Sequence, residues 1–203
     1  MPTWLPVLVS AAVGAAAASP PPIQSEGDEY TRYELLEPAS AQFHIVYEVT
    51  ATAAGSTVFF NPIRKGSEAS GEAVSDRMTG RSLAFEVVPG AEAVAARVPD
   101  AEADAQYIKI RLPRPVPPEG EVRLLIEKTY RDPKSYFREG ELLVFSRSLG
   151  IKRNSVLLPG GYELVACNFP SQVLSLKDGR LLVSFMNPGP ADAPLLLKAR
   201  RLR

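Results

Sequence analysis

The sequence predicts an all-β protein, an antiparallel β-sandwich-like domain of about ten short strands. Three observations carry this. Apolar and polar residues alternate with a period of two along most of the chain. Turn residues punctuate that alternation at a spacing of about 8–12 residues. Nineteen prolines and 14 glycines in 203 residues leave little room for long helices, since proline removes an amide donor and breaks a helix interior.

The first 18 residues read as a secretory signal. Residues 5–18 are uncharged and alanine-rich, and Ala16, Ala17 and Ala18 supply a small-residue cleavage site. The stretch falls short of the roughly 20 apolar residues of a spanning helix, so export with cleavage after Ala18 is expected. Residues 19–40 hold Pro20, Pro21 and Pro22, then Glu26, Asp28, Glu29, Glu34 and Glu37. That composition reads as a flexible tether, which leaves residues 41–203 for the β domain.

Within that domain Phe43, Ile45, Tyr47, Val49 and Ala51 share one strand face. A second strand over 56–60 follows Ala54-Gly55, as in a hairpin. Further strands are expected over 82–88, 107–112 and 121–130, where Val122, Leu124 and Ile126 line one side. Shorter ones follow over 142–145, 155–158, 162–167, 172–176 and 180–186, with Lys177-Asp178-Gly179 as a hairpin turn. A last strand over 195–200 closes the chain. Only residues 69–78 and 91–97 show modest helical character.

Net charge is zero, 23 acids against 23 bases, which gives no case for nucleic-acid or anionic-membrane binding. Residues 1–137 hold 18 acids and 13 bases, while residues 138–203 hold 5 and 10, halves that a folded domain is expected to interleave. His44 is the single histidine, so no site with two imidazoles can form. It is read as an exposed or hydrogen-bonded structural residue. Cys167, the single cysteine, lies in an apolar run and reads as a buried thiol. One cysteine allows no internal disulfide, which for an exported domain suits a bacterial periplasm. No metal site and no cofactor is expected.

Two basic loops stand out. One carries Arg64 and Lys65. The other, between the strands over 142–145 and 155–158, carries Arg147, Leu149, Ile151, Lys152 and Arg153, with two aliphatics beside Gly150. An exposed loop pairing apolar anchors with cations suits contact with an acidic surface, the alternative being that Leu149 and Ile151 plug the end of the sandwich while the cations face water. The acidic segment of residues 26–37 is one such surface, and a separate partner is another.

The run LPRPVPPEGEVRLLI over residues 112–126 resembles the segment L-x-x-P-L-x-x-G-x-x-x-x-L-x-I of the N-terminal β domain of zinc aminopeptidases of the gluzincin class. LPGGY at residues 158–162, the stretch on to Pro170, and residues 173–185 are similar to later strands of that domain. The resemblance implies a saddle-shaped β structure that, in that family, supports a catalytic domain. The family's metal motif, H-E-x-x-H with a downstream Glu, has no counterpart here, so no catalytic residue carries over.

Together these readings predict an exported, non-catalytic β-sandwich module that binds a protein partner or the cell envelope. The alternative is a carboxylate-dependent hydrolase acting on a glycan-like polymer, which requires a cleft with two acids roughly 5–10 Å apart, one of raised pKa. A third reading is a stand-alone relative of a peptidase accessory domain, kept for scaffolding.

Overall fold

The computed structural model describes residues 23–202; the expected signal peptide and its cleavage site lie outside them. Strands β1 (Glu26–Leu35), β2 (Gln42–Ala51), β3 (Val58–Ile63), β4 (Glu68–Asp76) and β5 (Phe85–Pro89) come first. A short helix α1 (Gly90–Ala95) follows, then β6 (Gln106–Arg111), β7 (Val122–Arg131), β8 (Tyr136–Glu139) and β9 (Leu142–Leu149). The chain continues through β10 (Arg153–Leu157), β11 (Tyr162–Cys167), β12 (Gln172–Ser175), β13 (Leu181–Met186) and β14 (Ala193–Arg201). Among the described residues no helix is long and apolar enough to cross a membrane.

Three sheets result: β12-β13-β10-β1-β2-β7-β4, β11-β14-β9-β8 and β3-β6-β5. The large sheet is the floor of the sandwich. Alternation puts Phe43, Ile45 and Tyr47 of β2 on its inner face. The register sets them beside Tyr130, Lys128 and Ile126 of β7 and beside Leu35, Tyr33 and Thr31 of β1. Phe145 of β9 packs its ring 5.3 Å from Phe43 and 5.5 Å from Tyr33, which seats the four-stranded sheet over β1 and β2. Phe59 and Ile63 of β3, with Ile108 and Ile110 of β6, join the same core from the three-stranded sheet. Burying each such side chain contributes about 1.5–3 kcal/mol. The far face of the three-stranded sheet is covered by α1, where Ala93 meets Phe60, Val88 and Tyr107.

The structure corrects four expectations. Residues 26–40 are not a tether: β1 lies inside the large sheet, paired antiparallel with β2 and parallel with β10. Its acids gave it a linker's composition, yet its second half alternates, with Thr31, Tyr33 and Leu35 buried and Tyr30, Arg32 and Glu34 between them turned outward. A short 3-10 turn, Pro38–Ser40, then leads into β2. Residues 69–78 are not helical, because β7 offers an open ladder edge that β4 fills, with Val74 buried beside Ile126 and Gly71 at φ +64° in a bulge. The turn at Gly55 joins no hairpin, since β2 and β3 belong to different sheets.

The fourth correction concerns the loop over 147–154. β9 pairs with β14 as far as Leu149, opposite Ala193, and β10 begins at Arg153, so only Gly150, Ile151 and Lys152 connect them. The turn at Asp178-Gly179 does join β12 to β13 as expected, with Gly179 at φ +81°.

Candidate functional site

A cleft of 710 Å³ opens onto the floor between the two smaller sheets. Its floor is Thr31 and Tyr33 of β1, Ile45 and Tyr47 of β2, and Lys128 and Tyr130 of β7. Asn61, Arg64 and Lys65, on and after β3, line one wall; Arg147 and Ile151 line the other.

One end is basic and is organised round Tyr130. Lys128 Nζ lies 5.3 Å and Arg147 Cζ 5.4 Å from its ring centroid. Its hydroxyl accepts the Arg64 backbone N–H at 3.0 Å. The Arg64 guanidinium then crosses the cleft and donates to Ser148 O at 2.9 Å. Lys128 is 4% exposed and donates to Asn61 Oδ1 at 2.6 Å and Pro62 O at 3.0 Å, which ties the floor to β3. Burial, and then the charge of Arg147, lower its pKa to about 7.

Arg147 is as buried but differently served. Its Nη1 donates to Asp132 Oδ2 at 3.1 Å. Asp132 also accepts from the amides of Lys134 and Ser135 and the hydroxyls of Ser67 and Ser135. Burial pushes the Asp132 carboxyl up, but the Ser135 hydroxyl and amide, with Arg147, outweigh it and hold it below the usual carboxylate range.

The other end is acidic. Glu29 accepts a hydrogen bond from the Tyr47 hydroxyl, and burial together with the charges of Glu26 and Glu29 pushes that hydroxyl well above its usual range. Burial, and then Glu29, raise the Glu26 carboxyl to about 7. Gln24 fixes this end to β3 by bonding both the carbonyl and the amide of Phe60, at 3.1 and 2.8 Å.

Of the residues singled out from sequence, Arg64, Lys65, Arg147 and Ile151 converge on this cleft from segments far apart in the chain. Lys65 is held on its wall by Glu102 and Asp104. Arg147 is not an exposed loop cation but a buried one, and Leu149, 2% exposed, is a core residue. Lys152 is exposed beyond the cleft. Arg153 serves the bulge in β1: it pairs with Asp28 and donates to the carbonyls of Asp28 and Glu29. Both Arg147–Asp132 and Arg153–Asp28 join the basic and acidic halves of the chain. His44 lies on the outer face of the large sheet, its ring nitrogens 3.3 Å from Thr129 Oγ1 and Glu127 Oε1. Cys167 is half-buried and accepts from Ser171 Oγ.

Sequence reasoning missed Lys128, Glu26, Glu29 and Tyr47. For Lys128 a signal existed, because the apolar face Val122, Leu124, Ile126 continues with period two onto Lys128 and then Tyr130. A lysine on a strand's apolar face must be neutralised, bonded or functional.

This all-β architecture is the fold of one part of M1 zinc metallopeptidases. The crystal structure of the M1 zinc metallopeptidase from Deinococcus radiodurans matches with a TM-score of 0.51 at 13% identity, over 85% of this chain and 41% of that one. A two-domain M1 zinc metallopeptidase mutant bound to L-tryptophan matches with a TM-score of 0.50 at the same identity and coverage. This chain thus spans under half the length of those structures. No protein-family model and no curated protein matches the sequence.

Proposed function

We propose that this chain is an exported, non-catalytic β-sandwich module that holds a segment of a protein partner in the cleft between its smaller sheets. The observation that carries this is the convergence of Arg64, Lys65, Arg147 and Ile151 on one cleft of 710 Å³. The fold adds support, since it corresponds to 41% of a peptidase chain and so to a part that works beside another. The alanine-rich segment ending at Ala18 supports a secreted or periplasmic location. The test is copurification from the envelope fraction with the tagged full chain and with Arg64→Glu, whose side chain is exposed. A partner retained by the wild type, released by salt and lost from the variant supports the module. Equal recovery by both removes the cleft from the reading.

A second reading is favoured by one observation, the pairing of Glu26, with its raised pKa, and Glu29 at the acidic end. A carboxylate-dependent hydrolase needs a proton-donating acid beside a second carboxyl group. Release of reducing ends from a soluble β-linked glycan, abolished by Glu26→Gln, would establish it. No release by the wild type would end it.

A further inference from the structure

The basic end of the cleft holds more positive charge than its neighbours neutralise. Lys128, Arg147 and Arg64 gather round Tyr130, and among the described residues Asp132 is the one carboxylate in an ion pair with any of them. The bonds of Arg147 to Asp132 and Ser135 both leave from Nη1, and Arg64 likewise spends Nη1 on Ser148. Each guanidinium keeps further donors. The charges repel one another: Arg147 disfavours the Lys128 ammonium, and Arg64 disfavours the charge on Arg147. Glu72 of β4 also acts on Lys128, its charge weaker than that of Arg147, and Tyr130 lies beside it. Tyr33 and Asp192, which accepts from Ser148 Oγ, line the same cleft, as do Glu26, Glu29, Asp100 and Glu102. Two buried cations and an exposed third, with unused guanidinium donors, form a site for a planar anion.

We propose that this end of the cleft is a carboxylate-binding site, in which Arg64 and Arg147 fork onto the anion and Lys128 seats it against Tyr130. Ile45, Ile63 and Tyr33 line the adjoining space, so the carboxylate is carried by an apolar or aromatic body. A peptide C-terminus and a small aromatic acid share that chemistry. The inference rests on the cleft being the module's binding surface and names what the partner presents there. Binding is proton-linked: the anion favours the Lys128 ammonium, so affinity rises as pH falls from 8 to 6.

The experiment is calorimetric titration of the full chain with N-acetyl-Ala-Ala-Phe as free acid, with its C-terminal amide, with benzoate and with inorganic phosphate. The free acid binds, and the amide is weaker by about tenfold or more. Arg64→Gln weakens the acid by a similar factor with its melting temperature unchanged. The gain from pH 8 to 6 is about threefold or more and disappears in Lys128→Met. Benzoate binding as tightly as the peptide acid identifies small acids as the source, and a clear preference for the peptide identifies a chain terminus; either supports the site. Equal binding of acid and amide, an indifferent Arg64→Gln, or phosphate binding tighter than both acids overturns it. If the acid fails to bind while Arg64→Glu still loses the copurified partner, the carboxylate site falls and the module stands.

Discussion

Arg147 and Lys128 are both buried cations against the ring of Tyr130, yet the protein treats them in opposite ways. Arg147 has a carboxylate partner that is itself held by two amides and two hydroxyls. Lys128 has only neutral acceptors, Asn61 Oδ1 and Pro62 O. A guanidinium stays charged in any protein environment and must be compensated, whereas an amine escapes the cost of burial by giving up its proton. The first cation is therefore a fixed strut between β9 and the turn after β7. The second is an adjustable charge at the floor of a cleft.

The sharpest way to break that contrast is to remove the compensation. Asp132→Asn leaves the Arg147 charge buried without its counterion and is expected to cost about 3–5 kcal/mol, read by denaturant unfolding at pH 7. The double variant with Arg147→Met recovers much of the loss, because no charge then remains to be paired. The folded Asp132 carboxyl is depressed, so its stabilisation is present above the unfolded value of 3.8 and disappears as pH falls below it. A loss under about 1 kcal/mol in Asp132→Asn would show that the pair is not what holds Arg147 in place.

The strut and the adjustable charge differ equally in how legible they were. β2 and β7 were readable because alternation of period two is the physical consequence of one buried face. β1 was not, since five acids in its neighbourhood mimic a linker while only every second residue reports burial. The cleft walls were half readable: Arg64 and Arg147 stood out as cations near turns, but their convergence depends on which sheets their strands join. That is decided by long-range pairing, for which local sequence carries no register. Arg153 shows the same limit, since a carbonyl-rich bulge at Asp28 is what occupies it.

Lys128 supplies a smaller effect with a defined sign. Its folded pKa of about 7 lies below the 10.5 of the free amine. Between those values the unfolded chain holds the proton and the folded chain does not, so stability rises with pH across that window. From pH 7 to 9 the gain is about 2 kcal/mol, measurable by urea unfolding at fixed ionic strength. Lys128→Met removes this slope, even though it also strands Asn61 Oδ1 and Pro62 O at a cost of about 1–3 kcal/mol. A wild-type profile as flat as that of the variant would mean that Lys128 keeps its proton in the fold, and the contrast with Arg147 would collapse.

The smallest effect lies at the acidic end, where Glu26 mirrors Lys128 with the sign reversed. Its carboxyl, raised to about 7 from 4.5, binds the proton in the folded chain at pH values where the unfolded chain has lost it. Stability therefore declines as pH rises from 4.5 to about 7, and above that the ionised carboxyl sits beside Glu29 at a standing cost. Glu26→Gln removes the charge and keeps a hydrogen-bonding head for Gln24. It should be more stable than the wild type at pH 8 and little different at pH 4. Because Glu26 as a residue keeps contact with solvent, screening holds the gain under about 1 kcal/mol, a small shift in melting temperature between parallel samples. The same shift at both pH values would mean that the variant acts through packing and that Glu26 ionises normally. It would also take from the hydrolase reading its one supporting observation, since an acid already ionised at neutral pH has no proton to give a leaving group.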